Sequence, residues 1–99
     1  MNPYQLLKTL SYPVAYMKFD EVVPLPYLVY RGGGSSNLVG DNRVLYSDYN
    51  YTVEYYFDEK STATERKIEE LFNVNEIPWS KSEDIYIDTE NIFLINYYI

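Results

Sequence analysis

Carboxylates are the side chains in this sequence that could supply general acid/base chemistry, and they occur as adjacent pairs. The pairs are Asp20-Glu21, Asp58-Glu59 and Glu83-Asp84. Two carboxylates catalyse such reactions only where they converge in a pocket that moves their pKa values apart. Each pair stands at a predicted turn between hydrophobic runs, where solvated charge is the default. We therefore expect all three pairs to be exposed.

The sequence lacks the other side chains most often used in catalysis and metal binding. The sequence has no histidine and no cysteine, so the commonest general base and the thiolate metal ligands are absent. It also has no loop with the alternating acids and central glycine of an EF-hand. We predict no catalytic residue, no metal ligand and no cofactor, and we expect that the protein is not an enzyme.

A glycine-rich stretch at residues 31–42 raises the question of phosphate binding. Gly32-Gly33-Gly34-Ser35-Ser36 lacks the Gly-x-x-x-x-Gly-Lys-Ser/Thr spacing of a phosphate-binding loop, and no helix is predicted after it. The stretch instead predicts a flexible hairpin tip that orders against a neighbouring molecule. The candidate interface residues are Arg31, Gly32, Gly33, Gly34, Ser35, Ser36, Asn37, Asp41 and Asn42.

Size and composition limit the number of domains, the partners and the localisation that we expect. The 99 residues are 46% hydrophobic, which predicts one globular domain over residues 1–99. A net charge of −7 disfavours binding to nucleic-acid phosphates. Thirteen tyrosines exceed what a core of this size needs, so we expect them half-exposed on strand faces or buried against other chains. No apolar run approaches a membrane span and no secretion signal is evident, so we expect a cytoplasmic protein or one carried in a particle assembled there.

The elements that position these residues centre on a strand and a helix between Tyr49 and Asn73. Residues 50–58 alternate, with Tyr51, Val53, Tyr55 and Phe57 on one face, as in a half-buried strand. Thr62-Ala63-Thr64-Glu65 predicts a capping box that starts a helix. Ile68, Leu71 and Phe72 follow at helical spacing as the buried face. The outer face is assigned to Glu65, Arg66, Glu69 and Glu70.

Further elements surround this unit. Asn2 and Pro3 predict the cap and first position of a short helix. Hydrophobic patterns predict strands or extended segments at residues 14–19, 26–30, 44–46, 77–82, 85–87 and 92–99. The last of these is apolar on both faces, which predicts an interior strand or a second covering layer. The order α-β-β-β-β-α-β-β predicts an α+β fold: a mainly antiparallel sheet with two helices packed on one face.

The order of these pieces resembles a known family. The relevant segments are Pro13-Val14-Ala15-Tyr16, Pro26-Tyr27-Leu28-Val29-Tyr30, Gly40-Asp41-Asn42, residues 51–60, residues 65–72, residues 82–87 and Tyr97-Tyr98-Ile99. Together they resemble the small tail-completion proteins, of the tail-terminator or head–tail joining type, of long-tailed phages and prophages of Gram-positive bacteria. The resemblance spans nearly the whole chain, and the triple glycine departs from it.

The resemblance implies a structural protein of the virion tail. Such a protein caps the finished tail tube as a ring, usually sixfold, and joins it to the head connector. Its partners are further copies of itself, the tail tube protein and the head connector protein. DNA passes through the ring without specific binding, and no membrane is involved. The family has no active site to carry over.

Two hypotheses from other classes stay open beside this one. An acidic phage-encoded binding protein that imitates DNA would inhibit a host nucleic-acid enzyme, and it predicts carboxylates clustered on one face. A carboxylate-based hydrolase requires a pocket that holds two converging acids.

Overall fold

The computed structural model describes residues 2–40 and 43–99, with the backbone alone for 35–40 and 43–49. Its elements, in chain order, are α1 (Pro3–Leu7), a 3₁₀ turn (Lys8–Leu10), β1 (Val14–Tyr16), β2 (Tyr27–Gly40), β3 (Arg43–Phe57), α2 (Thr62–Val74), β4 (Ser80–Lys81), β5 (Ile85–Ile87) and β6 (Ile92–Tyr98). This is an α+β fold with a mostly antiparallel sheet, as the sequence predicts. Among the described residues, neither α-helix is long and apolar enough to cross a membrane.

The six strands form one sheet in the order β1-β2-β3-β6, with β4 and β5 both on the outer side of β6. β1 pairs with β2 in parallel, and every other pairing is antiparallel. The predicted last strand is therefore an interior strand, which agrees with its apolar residues on both faces.

Both helices pack on the same face of the sheet. The core beneath them consists of Leu7, Leu28, Val53, Tyr55, Phe57, Ile68, Phe72, Ile95 and Tyr97. Alternation along the strands places the inward side chains of β2, β3 and β6 in common rows, because Leu28 pairs with Tyr55 and Tyr55 pairs with Ile95. The buried face of the predicted central strand is thus confirmed at Val53, Tyr55 and Phe57, and the buried stripe of α2 at Ile68 and Phe72. Tyr51 and Leu71 are only partly buried.

The N-terminal helix begins as its sequence predicts. Asn2 is extended, and its Oδ1 accepts a hydrogen bond from the N–H of Gln5 at 3.3 Å. Pro3 occupies the first helical position, where its missing N–H has no intrahelical partner to lose.

Several strand assignments differ from the sequence-based predictions. The strands predicted at residues 44–46 and 50–58 are one continuous β3, so three strands and not four precede α2. Three strands and not two follow α2, because part of the extended segment predicted at residues 77–82 pairs with β6 as β4. The stretch predicted as a loop from Arg31 is strand through Gly40, because β3 pairs with it along that length. The strand predicted over residues 14–19 ends at Tyr16, since Met17 has a φ of +68° that breaks the extended backbone.

The start of α2 lies one residue before the predicted cap. Ser61, and not Thr62, is the capping residue, and its Oγ accepts a hydrogen bond from the N–H of Thr64 at 3.2 Å. Thr62 is the first helical residue and is exposed. The predicted capping box is therefore wrong, because Glu65 lies beyond the third helical position where the reciprocal contact is made.

Replacement of the true cap should destabilise the protein, whereas replacement of its neighbour should not. We expect Ser61→Ala to lower the free energy of unfolding by about 1 kcal/mol, since the Thr64 N–H loses its acceptor. Thr62→Ala is the matched control and should change it by less than about 0.5 kcal/mol. Urea unfolding monitored by circular dichroism measures both values. A larger loss for Thr62→Ala than for Ser61→Ala would contradict the assigned cap.

Candidate oligomer interface

Strands β2 and β3 continue beyond the rest of the sheet as a two-stranded arm. β1 pairs with β2 at residues 28–30, and β6 pairs with β3 at residues 52–57. Just beyond β6, Tyr51 and Ile99 exchange two backbone hydrogen bonds, at 3.2 and 2.9 Å. Among the described residues, 33–40 and 43–50 then pair only with each other. We call these two segments the arm.

A β-bulge lies at the base of the arm. Gly32 pairs with Tyr51 and Ser35 pairs with Tyr49, so β2 carries one extra residue between the two pairs. Gly34 has a φ of +88°, a conformation that strains any residue with a Cβ. A Cβ on Gly32 would meet no atom within 4 Å, and one on Gly33 would make ordinary contact with Asn50. Backbone geometry therefore requires one glycine of the three, and the other two leave the strand backbone uncovered.

The residues predicted for the interface that the structure describes all belong to β2. Arg31 lies in the body of the sheet opposite Thr52, and Gly32 lies at its margin. Gly33, Gly34, Ser35, Ser36 and Asn37 follow in the first segment of the arm. Asp41 and Asn42 lie outside the described residues. The structure thus places the described candidates on a strand, where their spacing is extended and their backbone groups are aligned.

The face of the sheet without helices carries a polar and aromatic cluster. Arg31 Nε donates to Glu54 Oε2 at 3.0 Å, and the Tyr56 hydroxyl donates to Glu54 Oε1 at 2.7 Å. The rings of Tyr27 and Tyr56 are stacked with centroids 4.9 Å apart. Tyr27, Glu54 and Tyr56 are not among the residues predicted for the interface, although the alternation over residues 50–58 places Glu54 and Tyr56 on one face.

Burial alters the acid strength of these phenols. Burial, and then the hydrogen bond to Glu54, raise the pKa of Tyr56 far above its ordinary value of 10.0. Burial also raises the pKa of Tyr27, with smaller contributions from Glu90 and Glu54. Both hydroxyls therefore stay protonated at neutral pH, and the cluster functions as a hydrogen-bonded aromatic surface.

A groove of about 500 Å³ adjoins this cluster. Its floor is formed by Tyr27, Val29 and Tyr56, and one wall is the connection between β1 and β2 at residues 17–26. The Phe19 ring packs edge-on against the Tyr27 ring with centroids 5.2 Å apart, which holds this connection on the helix-free face. Local sequence patterns do not predict this placement, because Phe19 and Tyr27 belong to different segments that meet only in the folded sheet.

Two carboxylates do converge in the structure, but beneath α2 and between lysines. Glu65 is 4% exposed, which corrects its predicted place on the outer face. Its Oε1 accepts from Lys81 Nζ at 3.1 Å, and its Oε2 lies 2.8 Å from Lys60 Nζ as an ion pair. Glu69 Oε2 accepts from Lys81 Nζ and from the Tyr97 hydroxyl, both at 2.8 Å.

This arrangement fastens the helix to the sheet. The hydrogen bonds to Glu65 and Glu69 are the main causes that raise the pKa of Lys60 and Lys81 respectively, so both cations are retained. Burial, followed by the hydrogen bond to Glu69, raises the pKa of Tyr97 strongly. Neither glutamate lines the groove described above.

The three acidic pairs found in the sequence are exposed, as predicted. Asp58 and Glu59 directly follow β3 at the end of the sheet opposite the arm. Asp88 and Glu90 lie in the turn before β6, whose residue Phe93 pairs with Phe57 at that same end. These four exposed carboxylates therefore share the end of the sheet opposite the arm.

No group of three or more acidic side chains in the described part of the chain is arranged to hold a metal ion. No protein-family model, curated protein or solved structure matches the chain.

The buried hydrogen bond of Tyr97 makes the free energy of unfolding depend on pH in the alkaline range. A raised pKa means that folded Tyr97 keeps a proton which the unfolded chain releases near pH 10.0. Its stabilising effect is thus complete below pH 10 and is lost as pH rises further. We expect Tyr97→Phe to lower the free energy of unfolding by about 2 kcal/mol at pH 8, through the lost bond to a charged acceptor.

That difference between wild type and Tyr97→Phe should shrink above pH 10, because only the wild type has this phenol to ionise on unfolding. Urea unfolding between pH 8 and pH 11 measures the trend. Tyr16→Phe, on an exposed side chain, controls for the loss of a phenol from the surface. A difference that stays constant across this pH range would contradict the coupling.

Proposed function

We propose that the protein is a self-assembling structural subunit whose copies close into a ring through the arm, in the role of a phage tail-completion protein. The ring caps the tail tube and joins it to the head connector, with a sixfold arrangement as the resemblance implies. The single observation that carries the assembly part of the proposal is the arm itself. The phage role rests on the order of sequence segments given above.

The arm supports assembly because it is incomplete as an isolated structure. A two-stranded ribbon is at best marginally stable in water, whereas the same ribbon gains a core or a further strand against a neighbour. Its outer edges expose unpaired backbone groups, which are ready-made templates for strand addition. Gly32 and Gly33 present no side chain over that backbone, so another chain can approach it closely.

The charge distribution supports a ring through which DNA passes. The carboxylates at the end opposite the arm would repel phosphate from a lumen wall and prevent DNA from adhering. The helix-free face offers half-exposed tyrosines, which are enriched at interface centres. Contacts between different surfaces of successive copies close into rings when the rotation permits, and one small subunit can then build the annulus.

Removal of the arm tests the assembly proposal directly. Gly32 and Tyr51 are paired across the hairpin, so an Asn-Gly turn in place of residues 33–50 should reconnect the strands without disturbing the body. We expect this variant to remain folded and monomeric where the wild type assembles. Light scattering coupled to size-exclusion chromatography measures the mass, and negative-stain microscopy shows rings.

A second variant locates the contact within the arm. Asn37 pairs with Ser47, so an Asn-Gly turn in place of residues 38–46 keeps the bulge and the predicted residues up to Asn37. If this variant still assembles, the contact lies at the base of the arm. If it does not assemble, the contact requires residues 38–46. Normal assembly by the variant that lacks residues 33–50 would refute the role of the arm.

The tail role is tested in the phage or prophage that carries the gene. A stop codon at Lys8 should yield separate full heads and tails, with tails of uncontrolled length, in electron micrographs of the lysate. Suppression of the same codon is the matched control and should restore virions. Intact virions without suppression would refute the tail role.

Asp58, Glu59, Asp88 and Glu90 are exposed at one end of the sheet, and this shared position favours the DNA-mimic hypothesis as the second candidate. In that case immobilised protein would retain a host nucleic-acid enzyme that double-stranded DNA displaces, and charge reversal at Asp58, Glu59 and Glu90 would abolish retention. A tail-completion protein predicts no such DNA-sensitive capture.

A further inference from the structure

A second groove lies on the helix side of the molecule, between the 3₁₀ turn and α2. It encloses about 490 Å³ and is lined mainly by apolar surface. Leu10, Leu71 and Val74 provide that surface, and Val74 is 71% exposed. Arg66 and Lys67 line the same groove from successive positions of α2. We call it the basic groove.

The two cations of the basic groove differ from most others in this acidic chain. Lys18, Arg31, Lys60 and Lys81 each have a carboxylate within 4 Å. Among the described residues, no carboxylate lies within 4 Å of the charged nitrogens of Arg66 or Lys67, although Glu70 also lines the groove. A chain with a net charge of −7 thus presents two adjacent cations to an external anion.

The connection between β1 and β2 supplies the complementary chemistry. Val22 is 101% exposed, so it has no packing partner within its own chain. Glu21 precedes it and is also exposed. Asp20 is held by Lys18 at 3.6 Å, but both side chains are almost fully solvated, and such a pair exchanges readily for another. Residues 20–23, which we call the acidic loop, therefore combine an anion with an exposed apolar side chain that has no packing partner.

We propose that the basic groove binds the acidic loop of a second copy of this chain. Val22 would pack against Leu10, Leu71 and Val74, and Glu21 would pair with Arg66 and Lys67. The inference rests on the proposed self-assembly and identifies a second contact surface for it. The acidic loop and the basic groove have opposite charges, and each exposes apolar groups that the other could cover. These two properties favour the acidic loop as the ligand of the groove.

The two surfaces lie on opposite sides of one subunit. The acidic loop belongs to the connection held on the helix-free face by Phe19 and Tyr27, whereas the basic groove lies on α2. One subunit therefore uses its loop toward one neighbour and its groove toward the other. Such a contact is head-to-tail, and repeated copies of it close into a ring or extend as a filament.

Charge reversal in each surface separately, and then in both, tests the contact. Glu21→Lys alters the loop, and Arg66→Glu with Lys67→Glu alters the groove. Each variant should raise the dissociation constant of self-association by roughly tenfold or more, measured by sedimentation velocity across a dilution series. Glu83→Lys makes the same charge change at the opposite edge of the sheet and should leave the constant within about threefold of wild type.

Mixing the two defective variants provides the decisive result. In the mixture, the altered loop of the Glu21→Lys variant can bind the altered groove of the variant with Arg66→Glu and Lys67→Glu. The unaltered loop of the second variant can bind the unaltered groove of the first. Alternating assemblies should therefore form at close to wild-type affinity. The variant that carries all three substitutions should assemble likewise. Because every altered side chain is exposed, circular dichroism should show wild-type folding throughout.

Three other outcomes would overturn the proposal. Wild-type protein that stays monomeric at all concentrations would refute the proposed assembly together with this contact. Assembly that depends on the arm but not on these charges would refute the contact alone. Weakened assembly without restoration in the mixture would mean that another acidic partner or surface occupies the groove, and it would overturn the proposal.

Discussion

The fold depends on the backbone of residues 52–57 in β3, which pairs with β2 on one side and β6 on the other. Backbone N–H and C=O groups in the middle of a sheet must all find partners, so this segment sets the register of both neighbours. Leu28, Tyr55 and Ile95 consequently form one inward row beneath α2. A slip of one residue would send that row to the helix-free face and bring Glu54 into the core.

The buried carboxylate of Glu65 adds a second constraint, which concerns the placement of α2. Its partners come from outside the helix: Lys60 precedes α2 and Lys81 lies in β4. Loss of either lysine leaves a buried charge incompletely compensated and should destabilise the fold. The same helix position brings Arg66 and Lys67 to the basic groove.

The surfaces proposed for contact lie on different sides of the subunit. The arm leaves the sheet at one end and exposed carboxylates occupy the other. The acidic loop lies on the helix-free face, and the basic groove lies on the helix side. Different chemistry on opposite surfaces suits heterologous contacts, in which each copy presents one surface to the copy before it and another to the copy after it.

Local patterns determined much of this protein: the α+β class, the Asn2 cap, the buried stripe of α2, the alternating core face of β3 and the exposure of the acidic pairs. These features depend on residues within a few positions of one another, where periodicity and capping chemistry act directly. The glycine-rich stretch was correctly placed in a hairpin, but composition suggested a loop. Only pairing with β3 made it a strand, because hydrogen bonds from a partner outweigh weak intrinsic propensity.

The burial of Glu65, the cluster around Glu54 and the separation of the acidic loop from the basic groove were decided by the tertiary structure alone. Each joins residues far apart in the sequence, and their contacts exist only after the sheet register has been set.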